Sequence, residues 1–61
     1  MNDEDIFVEA LLKLNDPHQS CAALRLLDEF SYREIAEIMQ ISIEDVVRIC
    51  IEAEELLRDL I

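Results

Sequence analysis

The chain has no glycine, a single proline and no tryptophan. Without glycine there can be no Gly-rich phosphate loop. The tight two-residue hairpins that favour Asn-Gly or Gly-Gly are also poorly served. With one proline in 61 residues, little stops a helix, so an all-α fold is favoured. Positive charge is scarce too. Five Lys and Arg face 15 Asp and Glu, a net charge of −10. No single tail carries the excess: residues 1–16 hold −4, residues 17–40 hold −2 and residues 41–61 hold −4. Such a field repels nucleic acid and anionic lipid and suits a basic protein surface. No long run free of charge exists, which excludes a membrane-spanning helix. The acidic N-terminus does not read as a signal peptide, and a cytoplasmic protein is expected.

What the chain has in excess is apolar side chains, 52% of the residues. A domain of this length buries only about 60% of the surface its unfolded chain exposes. Apolar surface should therefore be left over for a partner. Cys21 and Cys50 lie far apart in sequence and in no metal or redox spacing, and read as small buried residues of a reducing compartment.

Residues 1–61 are expected to form one domain. Met1 to Asp5 make a loose acidic start. A first helix over Ile6–Leu14 puts Phe7, Leu11 and Leu14 on one stripe, with Ile6 and Ala10 beside it. Val8 and Leu12 fall off that stripe, and an apolar face this wide is usually covered on two sides. Asn15-Asp16-Pro17 breaks the chain, with Asp16 as the cap and Pro17 as the first helical residue. The second helix should run Pro17–Asp28 with Cys21, Leu24 and Leu27 inward. Phe30 then plugs the core.

Two helix starts follow closely. Ser31 with Glu34 fits a capping box, and Ser42 with Asp45 repeats it in acidic form. Ile35, Ala36, Ile38 and Met39 give the short helix Tyr32–Met39 its apolar face. Its end requires a left-handed residue, and that place falls to Gln40 at a cost of about 1 kcal/mol relative to glycine. The last helix, Ile43–Leu60, places Val46, Cys50, Ala53 and Leu57 on the core, with Ile49, Leu56 and Leu60 alongside. Val47 and Ile51 stand off both stripes. A short helix, a tight turn and a longer helix make a helix-turn-helix.

The run Ser31-Tyr32-Arg33-Glu34-Ile35-Ala36-Glu37-Ile38-Met39-Gln40-Ile41-Ser42-Ile43-Glu44-Asp45-Val46 resembles the helix-turn-helix of the fourth-region domain of bacterial RNA polymerase sigma factors. The resemblance extends over about Ala22 to Leu57, and the motif is also found in response-regulator relatives of that family. It implies a four-helix all-α domain in transcription, whose last helix enters the major groove while basic residues hold phosphates. Val46 keeps the family residue. The positions that the family commonly fills with small, Thr, Lys and Arg residues hold Glu44, Asp45, Val47 and Ile49. Glu52, Glu54 and Glu55 fall where further basic residues are common. Only Arg48 and Arg58 are positive on this helix.

A framework built to hold DNA has thus lost its cations. The expected function is protein contact within the transcription machinery, with RNA polymerase, a sigma factor or an anti-sigma factor, and a homodimer is expected. Val8 and Leu12 on the first helix and Ile43, Glu44, Val47, Arg48, Ile51, Glu52 and Glu55 on the last form the expected partner surface. The competing reading is a dimeric DNA-binding regulator resting on Arg33 and Arg48, with Arg25 in reserve. In a third, the carboxylates imitate phosphates toward a DNA-binding protein. No cofactor, catalytic group or metal site is expected. His18 and Cys21, three apart, lack the further ligands that a four-coordinate metal needs, and His18 is read as facing solvent. No carboxylate comes with a Ser, His or Lys arrangement for acid–base or nucleophilic work.

Overall fold

The computed structural model describes the backbone of residues 3–60 and the side chains of residues 5–60. Four helices make up the described residues: α1 (Asp3–Leu12), α2 (His18–Leu26), α3 (Tyr32–Met39) and α4 (Ile43–Leu60). No strand occurs among them. The expected bounds hold for α3 and α4. α1 starts three residues earlier than the apolar stripe suggested, and part of the expected loose start, Met1 and Asn2, lies outside the described residues.

α1 closes on itself through Lys13 N–H to Ala10 O and Leu14 N–H to Leu11 O, both 3.1 Å, which satisfies carbonyls a helix end leaves orphaned. The Gln19 side chain donates to Leu11 O at 3.3 Å and ties α1 to the next helix. The start of α2 differs from expectation. Pro17 is the cap, with helical dihedrals and no capping side chain, and it follows a cis Asp16–Pro17 peptide bond. Asp16, one residue earlier, still serves: its carboxylate accepts from Ser20 N–H at 3.3 Å and Ser20 Oγ at 2.6 Å. α2 also ends early. Leu27 turns outward, 49% exposed, because Glu29 takes a left-handed conformation (φ 59°) and leads the chain away. Phe30 N–H returns to Leu24 O at 3.0 Å, and Phe30 packs against the core as expected.

The Ser31 capping box forms in full: Glu34 N–H donates to Ser31 Oγ (3.1 Å), and Ser31 N–H donates to the Glu34 carboxylate (2.9 Å). α3 ends on Gln40 at φ 59°, ψ 45°, with Ile41 N–H reaching back to Ala36 O (3.1 Å). That bond closes the helix end in the manner a glycine usually permits. Ser42 Oγ accepts from Asp45 N–H (3.1 Å), but the Asp45 carboxylate turns to Arg48 instead of closing a second box.

The core has two parts. Ala10, Leu11, Leu14, Ala22, Ala53 and Leu57 join α1 to α2 and the C-terminal half of α4. Cys21, Ile35, Ala36, Val46, Ile49 and Cys50 join α2 and α3 to the N-terminal half of α4. Val46, Cys50, Ala53 and Leu57 face inward as their spacing predicts. On α3 the expected apolar face is incomplete, since Ile38 is 54% exposed, and on α4 the neighbouring stripe buries Ile49 but leaves Leu56 and Leu60 exposed. The cysteines, distant in sequence, meet in the second cluster. Cys21 Sγ donates to Met39 Sδ at 3.2 Å, and Cys50 Sγ points at Cys21 O at 3.9 Å. Both are free thiols. Burial, then the neighbouring Cys21, pushes the Cys50 thiol up to about 11 from its ordinary 9.0.

Candidate interaction face on the last helix

α4 presents its outer side because its inner side is spent on the core. At 100° per residue, Val46, Cys50, Ala53 and Leu57 cluster within one arc. Ile43, Val47 and Ile51 lie to one side of that arc, and Glu44, Arg48 and Glu55 lie opposite it. Ile43 and Ile51 are exposed, Val47 is half-buried, and Glu44, Arg48, Glu52 and Glu55 are exposed. None of these seven belongs to either core cluster. α1 reaches the α4 helix through Ala53 and Leu57 rather than through this side.

Ile49 does not belong to the outer face. It is 5% exposed and packed with Ile35 and Val46, so its apolar character is a core requirement rather than a lost cation. The expected inversion of charge therefore concerns only the other positions.

Arg48 is the only cation between Ile43 and Leu57, and it is engaged. Its guanidinium meets Glu52 at 3.0 Å and Asp45 at 3.5 Å, neighbours at i+4 and i−3. Pairs at these spacings contribute about 0.3–0.5 kcal/mol each. They take up two of the five N–H donors of the guanidinium. Glu52 extends the chain of contacts to His18 Nε2 at 3.5 Å. His18 is thus half-buried against α4 and does not simply face solvent. No cluster of metal ligands occurs among the described residues.

The remaining expected residues are dispersed. Val8 and Leu12 are exposed on α1, Leu12 at 68%, apart from the α4 face. Arg33 is exposed in the first turn of α3. Arg25 is occupied: it lies 4.5 Å over the Tyr32 ring, and its Nη1 donates to Phe30 O at 3.0 Å. Tyr32 therefore serves as a platform for Arg25, an arrangement worth about 0.5–1 kcal/mol at an exposed site. Arg25, Leu26, Glu29, Tyr32 and Glu54 line an open surface cavity of about 440 Å³. Sequence reasoning missed this cavity, since it forms only where α2 and α4 cross. The pairing of Arg48 was available in its i−3 and i+4 neighbours.

No helix among the described residues is long and apolar enough to cross a membrane. Curated proteins and solved structures offer no significant match to this chain. A protein-family model does match, that of sigma-70, region 4, over residues 10–59, a span that takes in the end of α1, all of α2 and α3, and nearly all of α4. With its capped α3, left-handed turn and long α4 in place, the chain belongs to the sigma-70 region 4 family of helix-turn-helix domains associated with transcription.

Proposed function

We propose that this domain acts in cytoplasmic transcription control by touching protein rather than DNA. The partner is a component of the transcription machinery: RNA polymerase, a sigma factor or an anti-sigma factor. The observation that carries this reading is the outer face of α4, where Glu44, Glu52 and Glu55 stand exposed and Arg48 is held by Asp45 and Glu52. Non-specific DNA binding draws nearly all of its affinity from Lys and Arg on phosphates, about six to ten contacts in a well-anchored protein. One arginine tied into two ion pairs does not supply that, and each carboxylate adds repulsion. Ile43, Val47 and Ile51 give the same helix an apolar strip bordered by charge, a composition suited to a protein partner.

Self-association belongs to α1. Val8 and Leu12 are exposed there beside Glu9 and Lys13, charges that can pair across a two-fold axis. The competing reading, a dimeric DNA-binding regulator, draws on Arg33, exposed and without an ion-pair partner among the described residues. Fluorescence anisotropy with a labelled duplex oligonucleotide at low salt separates the two. Protein contact predicts no saturable binding. Tight association that weakens steeply with added salt would overturn the proposal.

A further inference from the structure

Ile43, Val47 and Ile51 recur every fourth residue, and Glu54 follows Ile51 by three. The four therefore share one side of α4. Glu54 is also a wall of the 440 Å³ cavity, with Leu26, Glu29 and Tyr32 around it. The apolar strip thus lies on the side of α4 that also supplies one wall of the cavity. The one cation in that cavity, Arg25, is committed to the Tyr32 ring and to Phe30 O. Glu29 and Glu54 have no hydrogen-bond or ion-pair partner among the described residues. What remains on offer is two unpaired carboxylates beside an apolar seam about 12 Å long, the rise of eight helical residues.

We propose that this groove seats a basic amphipathic helix of another protein, with a Lys or Arg side chain lowered between Glu29 and Glu54. The inference rests on the reading that the domain works through protein contact. A seam of period four is met by apolar side chains of the same period on a facing helix, while cations specify the acidic end. Charge decides against a second copy in this groove. Each copy carries −10, and two such faces in contact would lie within a Debye length of about 8 Å, where repulsion is only partly screened. Arg58, one turn beyond Glu54 on the same side, marks where the acidic stretch ends.

The test uses the full chain and three synthetic 18-residue helical peptides. One has leucines at every fourth position flanked by lysines. The second keeps the leucines and replaces the lysines with glutamates. The third keeps the lysines and replaces the leucines with serines. The Leu/Lys peptide should shift the amide resonances of residues 26–32 and 43–54 and should bind at least tenfold tighter than either control. Glu29→Gln with Glu54→Gln should weaken it at least tenfold, whereas Glu9→Gln with Glu37→Gln, the same change of charge elsewhere, should weaken it less than twofold. Ile51→Ser should weaken it about tenfold with the helical circular dichroism unchanged. Equal losses from the two double variants, equal binding of the leucine-free peptide, or shifts confined to α1 would each overturn the groove. So would a dimeric mass that Ile51→Ser reduces to a monomer. Those results leave the broader reading intact, since that one falls only on salt-sensitive binding of duplex DNA.

Discussion

The two clusters of the core share α2 and α4 but differ in material. Around α1 the contacts are three alanines and three leucines, and the helices approach on small residues. Around the helix-turn-helix, Ile35, Val46, Cys21 and Cys50 are the largest fully buried side chains described. The difference assigns different work to each end. Interlocked branched side chains from three helices fix the angle between α3 and α4, and so the direction in which the outer face of α4 points. α1 is held by fewer large side chains and exposes Ile6, Val8 and Leu12. Regions with few buried apolar contacts open first.

The sharpest test of that contrast is a pair of truncations. Ile35→Ala removes a fully buried side chain and should cost about 3–4 kcal/mol, within the range for such cavities. That is a large share of the stability of any small domain, and thermal unfolding should show a severe loss of melting temperature. Leu11→Ala should cost about 2 kcal/mol, with amide exchange rising in α1 while α3 and α4 stay protected. If α3 and α4 lose protection equally in the Leu11 variant, the clusters are one cooperative unit and the comparison fails.

Smaller effects probe the ends of α3. Ser31→Ala removes the hydroxyl that accepts from Glu34 N–H and should cost about 1 kcal/mol by denaturant titration. The reciprocal bond from Ser31 N–H to Glu34, together with the Ser31 hydroxyl, holds the Glu34 carboxyl below its ordinary 4.5. A folded value depressed in this way stabilises fully above about pH 4.5 and ceases to do so as the pH falls through the lower folded value. Glu34→Gln should accordingly flatten the acid limb of the stability curve. Smallest is Gln40→Gly, which relieves a left-handed non-glycine residue and should stabilise by about 0.5–1 kcal/mol. A change within a few tenths would mean that the turn carries no strain.

Much of this architecture was legible because it is local. The Ser31 box and the inward stripe Val46, Cys50, Ala53 and Leu57 follow from spacing alone, and the left-handed Gln40 from its place in the turn of the helix-turn-helix. What was misread depends on where the chain goes next. Leu27 and Ile38 have apolar side chains at plausible helical positions, but the chain turns away at Glu29 just after Leu27, and no element among the described residues covers Ile38. Ile49 stood both on the stripe beside the core and at a position where the family resemblance implies an Arg, and it fills the second cluster. The cavity beside Glu54, the Arg25–Tyr32 stack and the meeting of Cys21 with Cys50 all depend on how α2 crosses α4. No periodicity within one helix encodes that crossing. The pairing of Arg48 was visible in its i−3 and i+4 neighbours.

The paired thiols have a practical consequence. An alkylating reagent needs a thiolate and a path to it, and in the closed molecule it has neither. Cys21 and Cys50 can be modified only in molecules whose α2 and α4 have parted, so the rate of labelling counts those molecules directly. Because α2 and α4 belong to both halves of the interior, the protein carries its own chronometer for the one motion that dismantles everything at once.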